Sequence, residues 1–165
     1  MTTTVSAPAI GSIPLIFRLN DGLMTRALDG LSDEECSRPL TDRTNSLLWI
    51  LSHAVDTRAF MLRQLGDACD TGWGSLFARG ATVDPSASYP AREEVVRAHR
   101  EISDRLHARL ATLDEAALAT PATDLNLPGA KTVADVIAFF ALHDSYHVGQ
   151  MALVRKGLGH SPLVG

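Results

Sequence analysis

The 165-residue chain is 45% hydrophobic and 21% charged, with a net charge of −4 and two cysteines. Such a composition is ordinary for one globular domain with a real core, and its acidic balance argues against nucleic acid, whose phosphates call for a basic surface. No apolar run reaches the length of a membrane span, Met1–Gly11 lacks the basic start and apolar segment of a signal peptide, and Cys36 and Cys69 stand at neither metal-ligand nor disulfide-framework spacing. These features predict a cytoplasmic protein with reduced thiols: a short tail over 1–12, one domain over 13–159 and a second tail over 160–165.

Ser12 and Pro14 mark the start of a first helix, proline being welcome in the first turn. Ile16, Leu19, Leu23 and Ala27 give it an apolar face, and Gly30 closes it. Asp33, Glu34 and Glu35 predict one extra turn within the linker Leu31–Thr44, before Pro39 breaks it. Thr44 or Asn45 caps a second helix that runs to about Leu65, with Gly66 as its stop. Leu47, Leu48, Ile50, Leu51, Ala54, Val55 and Leu62 make this helix apolar around most of its circumference, the mark of packing on more than one side. His53 lies among Trp49, Ile50, Thr57 and Phe60 on its wheel.

Asp67–Tyr89 has no clear period. It holds Gly72, Gly74, Gly80 and Pro85 together with Trp73, Leu76 and Phe77, so it reads as a long loop whose aromatics fold back onto the body. Those aromatics either cover a cleft or pin the connection. Pro90 opens a third helix with Glu93 and Glu94 placed favourably against its dipole; its stripe is Val95, His99, Ile102, Leu106 and Leu110. The connection Asp114–Lys131 contains Pro121 and Pro128-Gly129.

The fourth helix spans Thr132–Lys156. Thr132 and Asp135 form its capping box, Gly157 is its stop, and Val136, Phe140, His143, His147, Met151 and Val154 recur at threes and fours. Four amphipathic helices with neither strand-like alternation nor internal repeat define an all-α four-helix bundle. Simple up-and-down order and a crossover are both compatible with the connection lengths.

His143 and His147 stand one turn apart on the apolar stripe, close enough for both rings to turn onto one cation. An unpaired imidazole on such a stripe is costly. His53, on another helix apolar on several sides, is the obvious third ligand, and three histidines with an open position make a catalytic rather than a structural site. The alternative is a hydrogen-bonded or solvated pair. Zincin chemistry is excluded because Asp144 stands where that motif requires glutamate. The di-iron bundle pattern is excluded because its inward glutamates are missing. Asp144 can orient an imidazole or act as a base, or be an exposed helix acid. Tyr146 and Gln150 border the histidine face. His99 is a possible fourth ligand or a hydrogen-bonded core histidine, Trp49 and Phe60 read as core, and His107 reads as solvated surface.

Three local patterns carry a family resemblance. They are Asn45-Ser46-Leu47-Leu48-Trp49-Ile50-Leu51-Ser52-His53, the run Leu142-His143-Asp144-Ser145-Tyr146-His147-Val148-Gly149-Gln150-Met151, and Arg155-Lys156-Gly157-Leu158-Gly159. In this order the chain resembles the DinB-like (YfiT-like) family of four-helix-bundle metalloproteins over roughly Ile13–Gly159. The resemblance implies metal ligands His53, His143 and His147, a divalent cation such as zinc or nickel, and frequent homodimers. It further implies transfer or isomerisation chemistry with a low-molecular-weight thiol. The resulting expectation is a thiol-dependent transferase acting on small electrophiles, or a hydrolase, with Asp144 and Tyr146 as the catalytic side chains. Its rival is a non-catalytic metal-binding stress or sensor protein on the same scaffold.

Overall fold

The computed structural model describes residues 10–78, 80, 81, 83, 84, 87–122, 127 and 129–164. The expectations for Met1–Ala9 and for the breakers Pro85 and Pro128 fall outside these residues. Among the described residues the chain forms α1 (Ile13–Ala27), α2 (Asp33–Ser37), α3 (Leu47–Gln64), a 3-10 turn (Gly74–Phe77), α4 (Arg92–Ala111), α5 (Glu115–Leu118) and α6 (Val133–Gly157). The only pairing of extended backbone among them is an isolated bridge, Pro121 to Thr132. The four long helices are α1, α3, α4 and α6. Helix α3 packs on both α4 and α6, and α1 packs on α6 while meeting α4 only lightly. Consecutive long helices α1 and α3 are therefore not the main packing partners, and neither are α4 and α6. The short α2 and α5 lie on these two crossings. No helix among the described residues is long and apolar enough to cross a membrane.

The helix ends follow the side chains that cap them. Thr132 accepts from the Asp135 amide while Asp135 accepts from the Thr132 amide, and Ser32 and Glu35 make the same reciprocal pair on α2. Ser46, rather than Thr44 or Asn45, caps α3, its hydroxyl accepting from the Trp49 amide. Gly157 does not stop α6. It is the last helical residue, and a Cβ there would lie 2.6 Å from Leu40 Cδ1, so glycine allows a close approach. The stop is Gly159 at φ +92°, where the Gly159 and His160 amides bond back to Lys156 and Arg155 in a Schellman pattern.

The core draws on every long helix, and α3 is buried around most of its circumference as its sequence predicts. Helix α1 departs from expectation. Its inward residues are Phe17, Asn20, Met24 and Ala27, whereas Leu15, Ile16 and Leu19 face out. The expected stripe is rotated because Asn20 is buried, satisfied by a 3.0 Å bond from its amide to Ser145 Oγ on α6. The segment after α6 is packed rather than loose: Leu163 is buried, and Arg155 Nε donates to the Ser161 carbonyl at 2.9 Å. Cys36 and Cys69 are free and buried.

Candidate metal centre

Periodicity in α6 and the all-round burial of α3 bring His53 beside His143 and His147. The ligating nitrogens converge, with His143 Nε2 lying 3.2 Å from His53 Nε2 and 3.1 Å from His147 Nε2. Among the described residues these three form the one group of histidine, cysteine or acidic side chains close enough to hold a metal ion.

The outward nitrogens show why the inward ones want a cation. His53 Nδ1 lies 2.6 Å from the Phe77 carbonyl, which can only accept, so the proton sits on Nδ1 and the lone pair on Nε2. His147 Nδ1 meets Gln150 Oε1 at 2.7 Å with the same consequence. Two imidazole lone pairs thus point at a third imidazole nitrogen, which can offer at most one proton between them. Tetrahedral coordination with N–metal bonds of about 2.0–2.1 Å places such nitrogens roughly 3.3 Å apart. The two distances from His143 are close to that, all three nitrogens lie within 4.8 Å of one another, and neutral nitrogen donors suit a divalent cation of intermediate softness.

The third outward nitrogen faces Asp144. His143 Nδ1 is 3.7 Å from Asp144 Oδ1, too long for a hydrogen bond, and both atoms are buried with no other hydrogen-bond partner. Closing that gap satisfies both and completes an outer oxygen for each histidine. Asp144 is not an exposed helix acid: it is 0% exposed, and its Oδ2 accepts from Arg58 Nε at 2.7 Å.

Arg58 was not singled out by the sequence, and it lies at the centre of the bundle, 1% exposed. Its Nη1 also donates to Asp21 Oδ1 on α1 and, at 2.6 Å, to Ser103 Oγ on α4. Asp21 Oδ2 in turn meets His107 Nε2 at 2.6 Å, and His99 Nε2 lies 3.5 Å from Asp21 Oδ1. His99 is therefore a buried histidine beside Asp21 and not a fourth ligand, and His107 is a partnered, half-buried group rather than solvated surface. Burial pushes the Asp21 carboxyl up, but His99, Arg58 and His107 outweigh it and hold the group well below the usual carboxylate range. Burial likewise opposes the Arg58 charge, and Asp144 and Asp21 more than restore it. The available signal was a lone arginine inside the run Ala54–Leu62, where every helix face is needed for packing.

Above the histidines lies a pocket of about 660 Å³. Phe60, Phe77, Phe139 and Phe140 line it, with Tyr146, Asp56 and Arg63 as polar groups. Tyr146 is largely exposed, its ring edge-on to His147 and its hydroxyl accepting from Gln150 Nε2 at 3.0 Å. Trp49 stacks on the His53 ring, 5.4 Å away and 12° from parallel. The loop aromatics divide the two roles expected of them. Trp73 is pinned, with its indole donating to Glu94 Oε1 at 3.3 Å, whereas Phe77 both lines the pocket and orients His53 through its carbonyl.

A bundle with three convergent histidines on two of its helices defines a class of helical proteins able to hold a metal ion. The DinB superfamily matches residues 17–151, and the chain belongs to that superfamily. The crystal structure of a conserved protein from Enterococcus faecalis is similar in fold, with a TM-score of 0.72 at 10% identity over 93% of this chain and 98% of that one. Among curated proteins, none matches this sequence.

Three outcomes follow from the centre. Arg58→Met leaves the buried Asp144 and the half-buried Asp21 without their shared cation, at a cost of about 3–5 kcal/mol, read as a melting temperature roughly 10 °C lower. Asp144→Asn keeps the shape and is expected to weaken zinc binding about 10- to 100-fold; unchanged affinity would make the carboxylate purely structural. A third outcome concerns pH. Burial, with His143 and His53 adding to it, lowers the His147 pKa to about 4, and burial lowers that of His53. The neutral, ligating forms are then retained as pH falls below the ordinary histidine value of about 6.5 and are lost only as pH drops through the folded-state values. Metal retained after desalting should be unchanged at about pH 6 and disappear as pH falls through the His147 value of about 4. Half-release at about pH 6.5 would show that His53 and His147 titrate as solvated groups.

Proposed function

We propose that the protein is a divalent-metal-dependent transferase, using zinc or nickel, that joins a low-molecular-weight thiol to a small electrophile. The observation that carries this reading is the convergence of three imidazole nitrogens beside a pocket walled by aromatic rings. A cation held by His53, His143 and His147 would supply positive charge that favours the deprotonated form of a thiol or water in its open position. Phe60, Phe139 and Phe140 exclude water and match a substrate with an apolar body. Asp56 and Arg63 give the same pocket one charge of each sign, a complement to the ammonium and carboxylate of an amino-acid-like thiol. The Tyr146 hydroxyl accepts from Gln150 and so has its own proton free to donate to oxygen charge developing on the electrophile. Asp144 does not line the pocket; it acts by orienting His143. In the reaction the thiol gives up its proton, sulfur bonds to the electrophilic carbon and the leaving group departs. With water in place of the thiol the same site performs hydrolysis.

A homodimer accompanies this reading. Helices α1 and α6 lie side by side, and both turn large apolar side chains outward: Leu15, Ile16 and Leu19 on the first, Leu142 and Leu153 on the second. Apolar side chains grouped on neighbouring helices mark an association surface more often than chance exposure does.

The activity is tested by incubating zinc- or nickel-loaded protein with cysteine, glutathione or coenzyme A and an activated aryl halide or epoxide. Thiol-dependent turnover is expected, abolished in His147→Ala and reduced about 10- to 100-fold in Tyr146→Phe. Stoichiometric metal binding without thiol or hydrolytic turnover would favour a non-catalytic metal-binding stress or sensor protein. For the assembly, sedimentation should give twice the chain mass, and Leu142→Arg/Leu153→Arg should give the monomer mass. A monomer in the unaltered protein would remove the dimer.

A further inference from the structure

On the other side of the bundle, where α1 and α4 meet only lightly, a cleft of about 580 Å³ opens between them. Its floor is the Asp21 network, with His99, Ser103 and His107 from α4, and its rim carries Arg18 and Arg26 from α1 and Arg100 from α4. We propose that this cleft is a second binding site, for a small oxyanion such as a carboxylate or phosphate.

Three observations carry the assignment. The first is charge. The chain as a whole bears −4, yet the cleft is lined by three arginines against Asp21 and Asp104. Three arginines outnumber these two carboxylates, and Asp21 already shares the Arg58 charge with Asp144, so the charge around the opening is positive. The second is availability. The side chains of Arg18, Arg26 and Arg100 are exposed and, among the described residues, make no hydrogen bond or ion pair. Planar guanidinium groups held at one opening suit the paired oxygens of carboxylate and phosphate. The third is an unsatisfied floor. His107 Nδ1 is buried and makes no hydrogen bond, and His99, 5% exposed, has only a long 3.5 Å approach of its Nε2 to Asp21 Oδ1. Buried polar atoms without partners are rare and call for a ligand or ordered water. A cation does not fit the same place, because Asp21 Oδ1 already accepts from Arg58 and Ser103, and Oδ2 is engaged by His107.

The site is independent of the reaction assigned to the metal centre, so its test stands apart from activity. Metal-loaded full-length protein is titrated with inorganic phosphate and, separately, with succinate, and amide and imidazole resonances are followed by NMR. Saturable shifts are expected at His99, His107, Gly22 and Thr25, with at least one of the two probes. The probe that binds more tightly identifies the oxyanion class. Arg18→Ser and Arg100→Ser should each raise the dissociation constant about tenfold, and the double variant about a hundredfold. Their melting temperatures should stay unchanged, since both side chains are exposed and unpartnered. Affinity should also fall with added sodium chloride. The inference is overturned by the absence of saturable shifts with both probes, by shifts confined to the three-histidine centre, or by undiminished binding in the double variant.

Discussion

A single buried guanidinium sets the rotation of every long helix. Removing a charge from water costs several kcal/mol unless its partners are well placed, and Arg58 on α3 finds them on α1, α4 and α6 at once. Asp144 has to face inward to meet it. Once it does, the neighbouring His143 and the more distant His147 are carried to the side of α6 that faces the pocket. Asp21 has to face inward from α1, and that requirement turns Phe17 and Met24, one turn away on either side, into the core. Leu15, Ile16 and Leu19 are left outside. The metal centre and the exposed apolar side chains are in this sense two results of one electrostatic constraint.

The centre itself is built in two layers with opposite polarity. Outward nitrogens face oxygen acceptors from three different sources: a loop carbonyl, a side-chain amide and a carboxylate. For His53 and His147 the inward nitrogens are thereby made into lone pairs, and closing the 3.7 Å gap to Asp144 does the same for His143. Because the amide is local to α6 and the carboxylate adjoins His143, two of the three ligands are oriented by their own helix. The third depends on tertiary structure. Aromatic rings complete the enclosure, with Trp49 against the face of His53 and the edge of Tyr146 on His147, so that the imidazoles can rotate little about their own axes.

Much of this was legible in the chain. Periods of three and four on α4 and α6, the Thr132–Asp135 box and the apolar circumference of α3 were enough for an all-α bundle. The histidine spacing on α6 was enough to nominate a cation site. What periodicity could not deliver were features set by partners distant in sequence. Asn20 is buried because Ser145 meets it, so a hydrophobic pattern alone rotates α1 wrongly. Asp21 and Arg58 look like ordinary surface charges until α1 and α3 are brought together. His107 looks solvated among Arg105 and Arg109 for the same reason. Gly157 reads as a helix stop because glycine often is one, whereas its place is set by Leu40, more than a hundred residues earlier.

The bond that orients His53 comes from a main-chain carbonyl, that of Phe77, and every amino acid supplies the same carbonyl. The ring that forms part of the pocket wall hangs from the same residue. Ligand geometry and pocket shape are therefore written in separate alphabets at one position: the backbone holds the imidazole, and the side chain shapes the cavity. The Phe77 ring is itself buried against Trp49, Trp73 and Tyr89, so an exchange at 77 reshapes the pocket wall and spares His53 only where the 3-10 turn keeps its path. The loop is thus a natural place for such a scaffold to vary its pocket while the three-histidine cluster keeps its geometry.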